Sequence, residues 1–281
     1  MKVGLVICGP DVAYGPLALL SGTFEEKVQK ARDLGYDGVE LMVRDPAELD
    51  WSHVKQTLAQ AGLEAPQIVT GELFGVDGLC LITPDDDLYQ RAVERTQAVI
   101  KLAAFLDCAI VNVGRLRGRL DWMAGYTDDP WTLAVERIAG IAAFAAAHNV
   151  PIALEPINRY EADFIANVDD GMRMVADVGA ANLGLMLDLF HMNIEDASIE
   201  NSLRAAGERC LHVHIADSNR RFPGAGHLDF DSIFATLADM GYQGYISAEI
   251  IPWPDPDTAA VKTIQYVRSH MNGRPATSGI R

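Results

Sequence analysis

The stretch DLGYDGVEL (residues 33–41) leaves an amphipathic segment through a glycine and enters a short apolar run. A glycine just past a helical pattern is a common helix stop, because it takes left-handed backbone without steric cost. The apolar run that follows has the length and character of a buried strand. The same junction recurs near the far end of the chain, in DMGYQGYIS (239–247). The two are one helix-to-strand joint used twice, not a sequence repeat. Working outward from them, short apolar runs lie at 2–8, 38–43, 64–69, 109–113, 151–155, 183–188, 210–215 and 244–249. Helical patterns fill the intervals at 24–34, 51–61, 86–106, 131–148, 169–178, 198–206, 230–240 and 257–271. Strand–helix alternation repeated about eight times without a linker predicts an α/β protein closed into a single (β/α)8 TIM barrel. An open doubly wound sheet would usually carry a Gly-rich turn after its first strand, and CGPDVAYG (8–15) is not GxGxxG. The barrel is expected to span 1–272, with 273–281 as a flexible C-terminal tail.

A chain of 281 residues, 49% hydrophobic and 22% charged, can bury one large core. Its 23 basic and 39 acidic residues leave a net charge of -16. Such a field repels phosphate backbones and argues against a nucleic-acid partner. Cys8, Cys80, Cys108 and Cys210 are scattered, with no CxxC pair. That is the usage of a reducing compartment without a disulfide framework. The opening MKVGLVICGP stops too soon for a signal peptide, and no stretch approaches a membrane span. The expectation is a soluble cytoplasmic protein with no membrane partner.

In a barrel of this kind, chemistry sits at the carboxyl-terminal rim. There the late strands each end in a metal-capable side chain. VPIALEP (150–156) ends at Glu155, LGLMLDLFH (183–191) at Asp188, LHVHIADSNRR (211–221) at His214 and YISAEI (245–250) at Glu249. Strand residues two apart share a face, so Ile152 and Leu154 lie opposite Glu155, while Ile246, Ala248 and Ile250 lie opposite Glu249. By the same rule His212 and His214 face one way, and Leu211, Val213 and Ile215 the other. Any one of these acids alone would be ordinary, solvated or paired with an arginine. Together, three inward carboxylates repel and raise one another's pKa values unless a cation sits among them. A Glu/Asp/His/Glu set without sulfur suits Mn2+, Mg2+ or Co2+; Zn2+ is less natural. His212, one layer deeper, reads as a core histidine bonded to a neighbour. GRLRGR (114–119) puts Arg115, Arg117 and Arg119 just past the fourth strand. Their bland reading is pairing with surface carboxylates. Clustered at a catalytic rim, they are expected to hold an anionic substrate end.

The segments EPINRYE (155–161), DLFHMNIE (188–195) and HIADSNRR (214–221), with the acidic end of the last strand, resemble the xylose-isomerase-like superfamily of sugar isomerases and epimerases. Within it the likeness is to the ketose 3-epimerases related to D-tagatose 3-epimerase, and it covers the whole chain. VRDPAELDW (43–51), TGELFGVDGLCLITP (70–84) and VGRLRGR (113–119) are similar to the 5-keto-L-gluconate epimerase branch. The resemblance implies one divalent ion per chain, Mn2+ first, held by Glu155, Asp188, His214 and Glu249. It implies that Glu155 and Glu249 also transfer protons at carbon 3 of a ketose or keto-sugar acid, through a cis-enediolate. It places Glu161, His191 and Arg220 on the substrate, and it implies a homodimer or homotetramer. An aldose–ketose or inosose-type isomerase of the same superfamily would use the same metal and acids. An AP endonuclease-like barrel would need further histidine ligands and a basic groove. The remaining histidines (His53, His148, His227 and His270) fall in helices, at a helix end or in a loop. A non-catalytic binding barrel would have no use for the complete acid pair.

Overall fold

The computed structural model describes residues 1–271, so the expected tail at 273–281 lies outside the described residues. Eight strands, β1 (Lys2–Cys8), β2 (Gly38–Met42), β3 (Gln67–Val69), β4 (Ile110–Val113), β5 (Ile152–Leu154), β6 (Leu183–Asp188), β7 (Cys210–Ile215) and β8 (Tyr245–Ala248), run in parallel. They close in sequence order, β8 pairing back onto β1. This is the predicted barrel. The long helices are α1 (Phe24–Leu34), α2 (Trp51–Ala61), α4 (Asp86–Leu106), α5 (Pro130–Ala146), α6 (Val168–Val178), α8 (Ile199–Ala206), α9 (Phe230–Asp239) and α10 (Pro256–Met271). Two short ones, α3 (Gly71–Gly75) and α7 (Leu189–Glu195), follow β3 and β6 directly.

Local chemistry sets the helix limits. Thr23 and Glu26 form a reciprocal capping box at the start of α1, and Asp50, Asp85, Asp129, Asn167, Ser198 and Asp229 each accept a first-turn N–H. Gly35 ends α1 at φ 85°, as DLGYDGVEL requires. Outward-facing strand residues such as Val39, Leu154, Leu187, Val213 and Ile246 form one apolar core with the helices. Four free cysteines are all buried. Among the described residues, no helix is long and apolar enough to cross a membrane.

Inside the barrel the side chains stack in layers. Asn112, Glu155, Asp188, His214 and Glu249 form the upper layer. The residues two back from them, Ile110, Ala153, Met186, His212 and Ser247, lie beneath. Ile110, Ala153 and Met186 pack together as a small apolar floor.

Five strands are shorter than the sequence suggests, β2 and β4 by a single residue. Pro66 has no N–H to give, so β3 starts at Gln67 and leaves only an isolated bridge between Glu64 and Gly38. Glu155 and Glu249 lie one residue past β5 and β8, and the Glu155 N–H still bonds Val113 O at 3.2 Å. β7 also departs from simple alternation. Leu185 pairs with Cys210 and Met186 with His212, leaving Leu211 as an extra residue. The expectation that Leu211 shares a face with Val213 and Ile215 therefore fails. It turns onto the floor residues, into space left by Gly184. A Cβ on Gly184 would meet Leu211 Cγ at 2.6 Å and Arg209 O at 2.7 Å. Gly184→Ala is expected to lower the free energy of unfolding in urea by about 1–3 kcal/mol. Leu211→Ala in that background should recover part of the loss, because the Arg209 carbonyl still obstructs. An unchanged urea midpoint for Gly184→Ala would count against this packing.

Candidate active site

Four successive strands deliver Glu155, Asp188, His214 and Glu249 to one point on the barrel axis. One ligand-type atom from each lies within 4.8 Å of the others. His214 and Asp188 are fully enclosed, and Glu155 is 8% exposed. Burial, with Glu249 and Asp188 close by, pushes the Glu155 carboxyl well above the usual range. Burial pushes Glu249 upward too, but the adjacent His214 and the charge of Arg220 outweigh it and hold Glu249 low. The two acids thus favour opposite protonation states. Backbone at Gly114 makes room for one of them. A Cβ there would stand 2.4 Å from Glu155 Oε2.

Arg220 enters from the loop after β7. Its Nη1 donates to Asp188 Oδ2 at 2.6 Å and its Nη2 to Glu249 Oε2, while the guanidinium lies 4.8 Å from the Phe190 ring centroid. The residue sits at φ 61°, an uncommon conformation for a side chain of this size. Buried Asp217 helps hold it there. The carboxylate accepts the N–H groups of Ser218, Gly224 and Leu228, and the Arg220 N–H bonds Asp217 O at 2.8 Å. From the β8 side, Ile251 N–H donates to Arg220 O at 2.7 Å.

His191 is carried by α7. Asn158 Nδ2 donates to His191 Nδ1 at 2.6 Å, which leaves Nε2 as the protonated nitrogen, 3.6 Å from Glu155 Oε1. Burial lowers the His191 pKa, so the ring tends to stay neutral and to act as a donor. Glu161 is exposed at the cavity wall, where it accepts from Asn158 at 3.2 Å. These groups surround a cavity of about 400 Å³, walled on its other side by Leu17, Met42, Val69, Ile157 and Ile251.

The three arginines of GRLRGR part company. Arg115 lines the cavity, its guanidinium 5.6 Å from the Phe74 ring centroid and without a hydrogen-bond partner among the described residues. Arg117 is fully buried and donates to the carbonyls of Gly114, Glu155, Phe164 and Ile165, tying the loops after β4 and β5 together. Arg119 pairs with Asp121 at 2.8 Å. The structure therefore sets Arg117 and Arg119 apart from the cavity. Arg117 cannot reach it while its guanidinium serves four carbonyls, and Arg119 takes the surface pairing weighed as the bland alternative. His212 bonds Glu40 at 2.5 Å, as a core histidine with a neighbour. His53, His148, His227 and His270 find partners in Glu25, Phe144 O, Ser218 and Tyr266 O, away from the cluster. Asn112, Asn158 and Phe190 were not singled out from sequence. Asn112 carried a signal, since it shares strand-end parity with the acids and its Nδ2 reaches Glu155 Oε2 at 3.3 Å.

The donor set fits a hard or borderline divalent ion: three carboxylates, one imidazole and no sulfur. His214 Nδ1 supports the fit, being buried, without a hydrogen-bond partner and 3.6 Å from Glu249 Oε2. Comparison with known proteins agrees with the architecture. Residues 28–270 match the family model of the xylose isomerase-like TIM barrel. The D-psicose 3-epimerase of Agrobacterium fabrum is 40% identical over 244 residues, 82% of this chain and 80% of its own. The L-ribulose 3-epimerase of Mesorhizobium japonicum is 31% identical over 225 residues, covering 80% of this chain and 74% of its own. A crystal structure of D-psicose 3-epimerase in the presence of D-fructose superposes with a TM-score of 0.81 at 25% identity, covering 97% of this chain and 100% of that one. The chain belongs to the xylose isomerase-like TIM barrel family, among relatives that are ketose 3-epimerases, and it is an enzyme of the isomerase class.

Proposed function

We propose that this enzyme is a divalent-metal-dependent epimerase that inverts carbon 3 of a ketose or keto-sugar acid. The observation that carries the reading is the pair Glu155 and Glu249, both lining the cavity and brought to one point with Asp188 and His214 from the ends of β5 and β8. Epimerisation next to a carbonyl needs one group to take a proton and a second to return one on the other face. Two carboxyl groups at the two ends of a four-residue set meet that need, and they exchange roles when the reaction reverses. A divalent ion held by Glu155, Asp188, His214 and Glu249, Mn2+ by preference and Mg2+ or Co2+ otherwise, would polarise the carbonyl and stabilise the enediolate charge. His191 offers an Nε2–H to a substrate oxygen, Arg220 a fixed guanidinium, and Glu161 an acceptor for a hydroxyl. The apolar wall excludes water from the side away from these groups.

The substrate class follows from Arg115. A guanidinium with no hydrogen-bond partner among the described residues, at the mouth of an acidic protein's cavity, suits a carboxylate better than a hydroxymethyl end. This favours a six-carbon keto-sugar acid of the 5-keto-L-gluconate kind. Buried free thiols fit a cytoplasmic setting, and family likeness favours a homodimer or homotetramer.

Removal of metal with a chelator is expected to abolish turnover, with Mn2+ or Co2+ restoring it; full activity in metal-free protein would overturn the reading. Glu155→Gln and Glu249→Gln should each lower kcat by about 10³-fold or more, with the double variant little worse than either. Solvent deuterium should appear at carbon 3 of the product. Epimerisation with no label under single-turnover conditions would exclude two exchanging acids.

Substrate charge is tested by arginine replacement. Arg115→Met should lower kcat/KM about 10- to 100-fold for a keto-aldonate, the worth of one charge-assisted hydrogen bond, and leave a neutral ketose within about twofold. Arg119→Met should leave both substrates alone. Arg117→Met should instead lower the urea midpoint, since it leaves the Glu155 and Phe164 carbonyls without a donor. Equal losses on acid and neutral substrates for Arg115→Met would remove the case for an acid.

A further inference from the structure

The two histidines of β7 share a partner. Glu40 of β2 is fully buried, with Oε1 2.5 Å from His212 Nε2 and Oε2 2.9 Å from His214 Nε2. Gln67 of β3 donates its amide to the same Oε2 at 3.0 Å and lies 3.2 Å from His214 Nε2. This arrangement decides which nitrogen of His214 carries hydrogen. An ionised carboxylate can only accept. A bare Nε2 at 2.9 Å would set one lone pair against another. Nε2 therefore donates to Glu40, and in a neutral ring the lone pair resides on Nδ1. That atom is buried without a hydrogen-bond partner, 3.6 Å from Glu249 Oε2 and 4.0 Å from Asp188 Oδ2.

We propose that Glu40 is a positioning residue of the metal site: it takes the Nε2–H of His214, so that Nδ1 is the atom presented among Glu155, Asp188 and Glu249. The inference rests on the metal-dependent reading above and assigns to a strand on the far side of the barrel a part in holding the ion. His212 is the second half of the device. By occupying Oε1 it stops Glu40 from turning, and Gln67 steadies Oε2 from the next strand. The paired histidines in LHVHI thus have unlike duties: one ligates, and the other anchors the carboxylate that aims it. A carboxylate on the distal N–H also makes the imidazole a stronger donor to a metal, and such outer partners change metal affinity by about 10- to 100-fold when removed.

The test reads metal binding without sugar. Mn2+ is titrated into metal-free wild type and variants, free Mn2+ is followed by electron paramagnetic resonance, and circular dichroism monitors the fold. Glu40→Gln keeps the size of the side chain and an acceptor for His214 but loses the charge. It is expected to weaken Mn2+ binding about 10- to 100-fold and to shift the visible absorption bands of the Co2+-loaded protein, a signature that reports the ligand field and not stability. His212→Gln frees one oxygen of Glu40 without touching the His214 hydrogen bond. It should weaken Mn2+ about two- to tenfold, and it carries the test should Glu40→Gln fail to fold. A folded variant with Mn2+ affinity within about twofold of wild type and unmoved Co2+ bands overturns the role of Glu40 and leaves the metal site standing. A wild-type chain that binds neither ion overturns the metal reading and this inference with it.

Discussion

Mutual repulsion among buried carboxylates is the constraint that the rest of this site answers. Glu155, Asp188 and Glu249 are drawn within a few ångströms by strands whose register leaves them no other direction. Three like charges out of water would not stay together unaided. Positive charge and hydrogen-bond donors are therefore brought in from several sides. Arg220 spans Asp188 and Glu249, Asn112 reaches Glu155, and His214 stands between them. The cost extends into the backbone: Arg220 adopts a left-handed conformation, held by a buried aspartate that collects three N–H groups. Fold and site are joined here, because the parallel register that builds the core also crowds the charges.

Much of this was legible in the chain. The period of two in strands and the glycines at helix ends suffice to place the eight strands and the ring of Glu155, Asp188, His214 and Glu249. What escaped has a common physical cause. Glu40 and Gln67 sit in strands that look like ordinary buried runs, and their partners lie on β7, 147 to 174 residues away. No local pattern records a contact of that kind. The expectation for Arg117 and Arg119 failed for a different reason. Residues 115–117 form a single 3-10 turn, so neighbours alternate by helical geometry and not by strand parity, and Arg117 turns inward to meet carbonyls. Leu211 failed because one inserted residue in β7 breaks the alternation while restoring it for His212 and His214. The short helices α3 and α7 hide in stretches too brief to show a period.

The loops of the rim are unequally fixed. Arg117 ties the connections after β4 and β5 through four carbonyls, and Asp217 organises the one after β7. Arg115, two residues from Arg117, is left exposed beside Phe74. A rigid frame thus surrounds a cationic side chain that has no hydrogen-bond partner among the described residues. Substitution at Arg115 therefore breaks no side-chain hydrogen bond that holds the ring beneath it.

Asp188 works at both of its oxygens. Oδ2 faces the ring and takes Arg220, while Oδ1 accepts the Phe190 N–H at 2.9 Å and so caps α7. His191 is the next residue of that helix. A carboxylate is a stiff planar group, so a pull on one oxygen rotates the other. One carboxylate thus joins the ring to the helix that carries the imidazole facing Glu155. Ring and hydrogen-bond donor are therefore linked through a single planar group at the end of β6, over less than one helical turn.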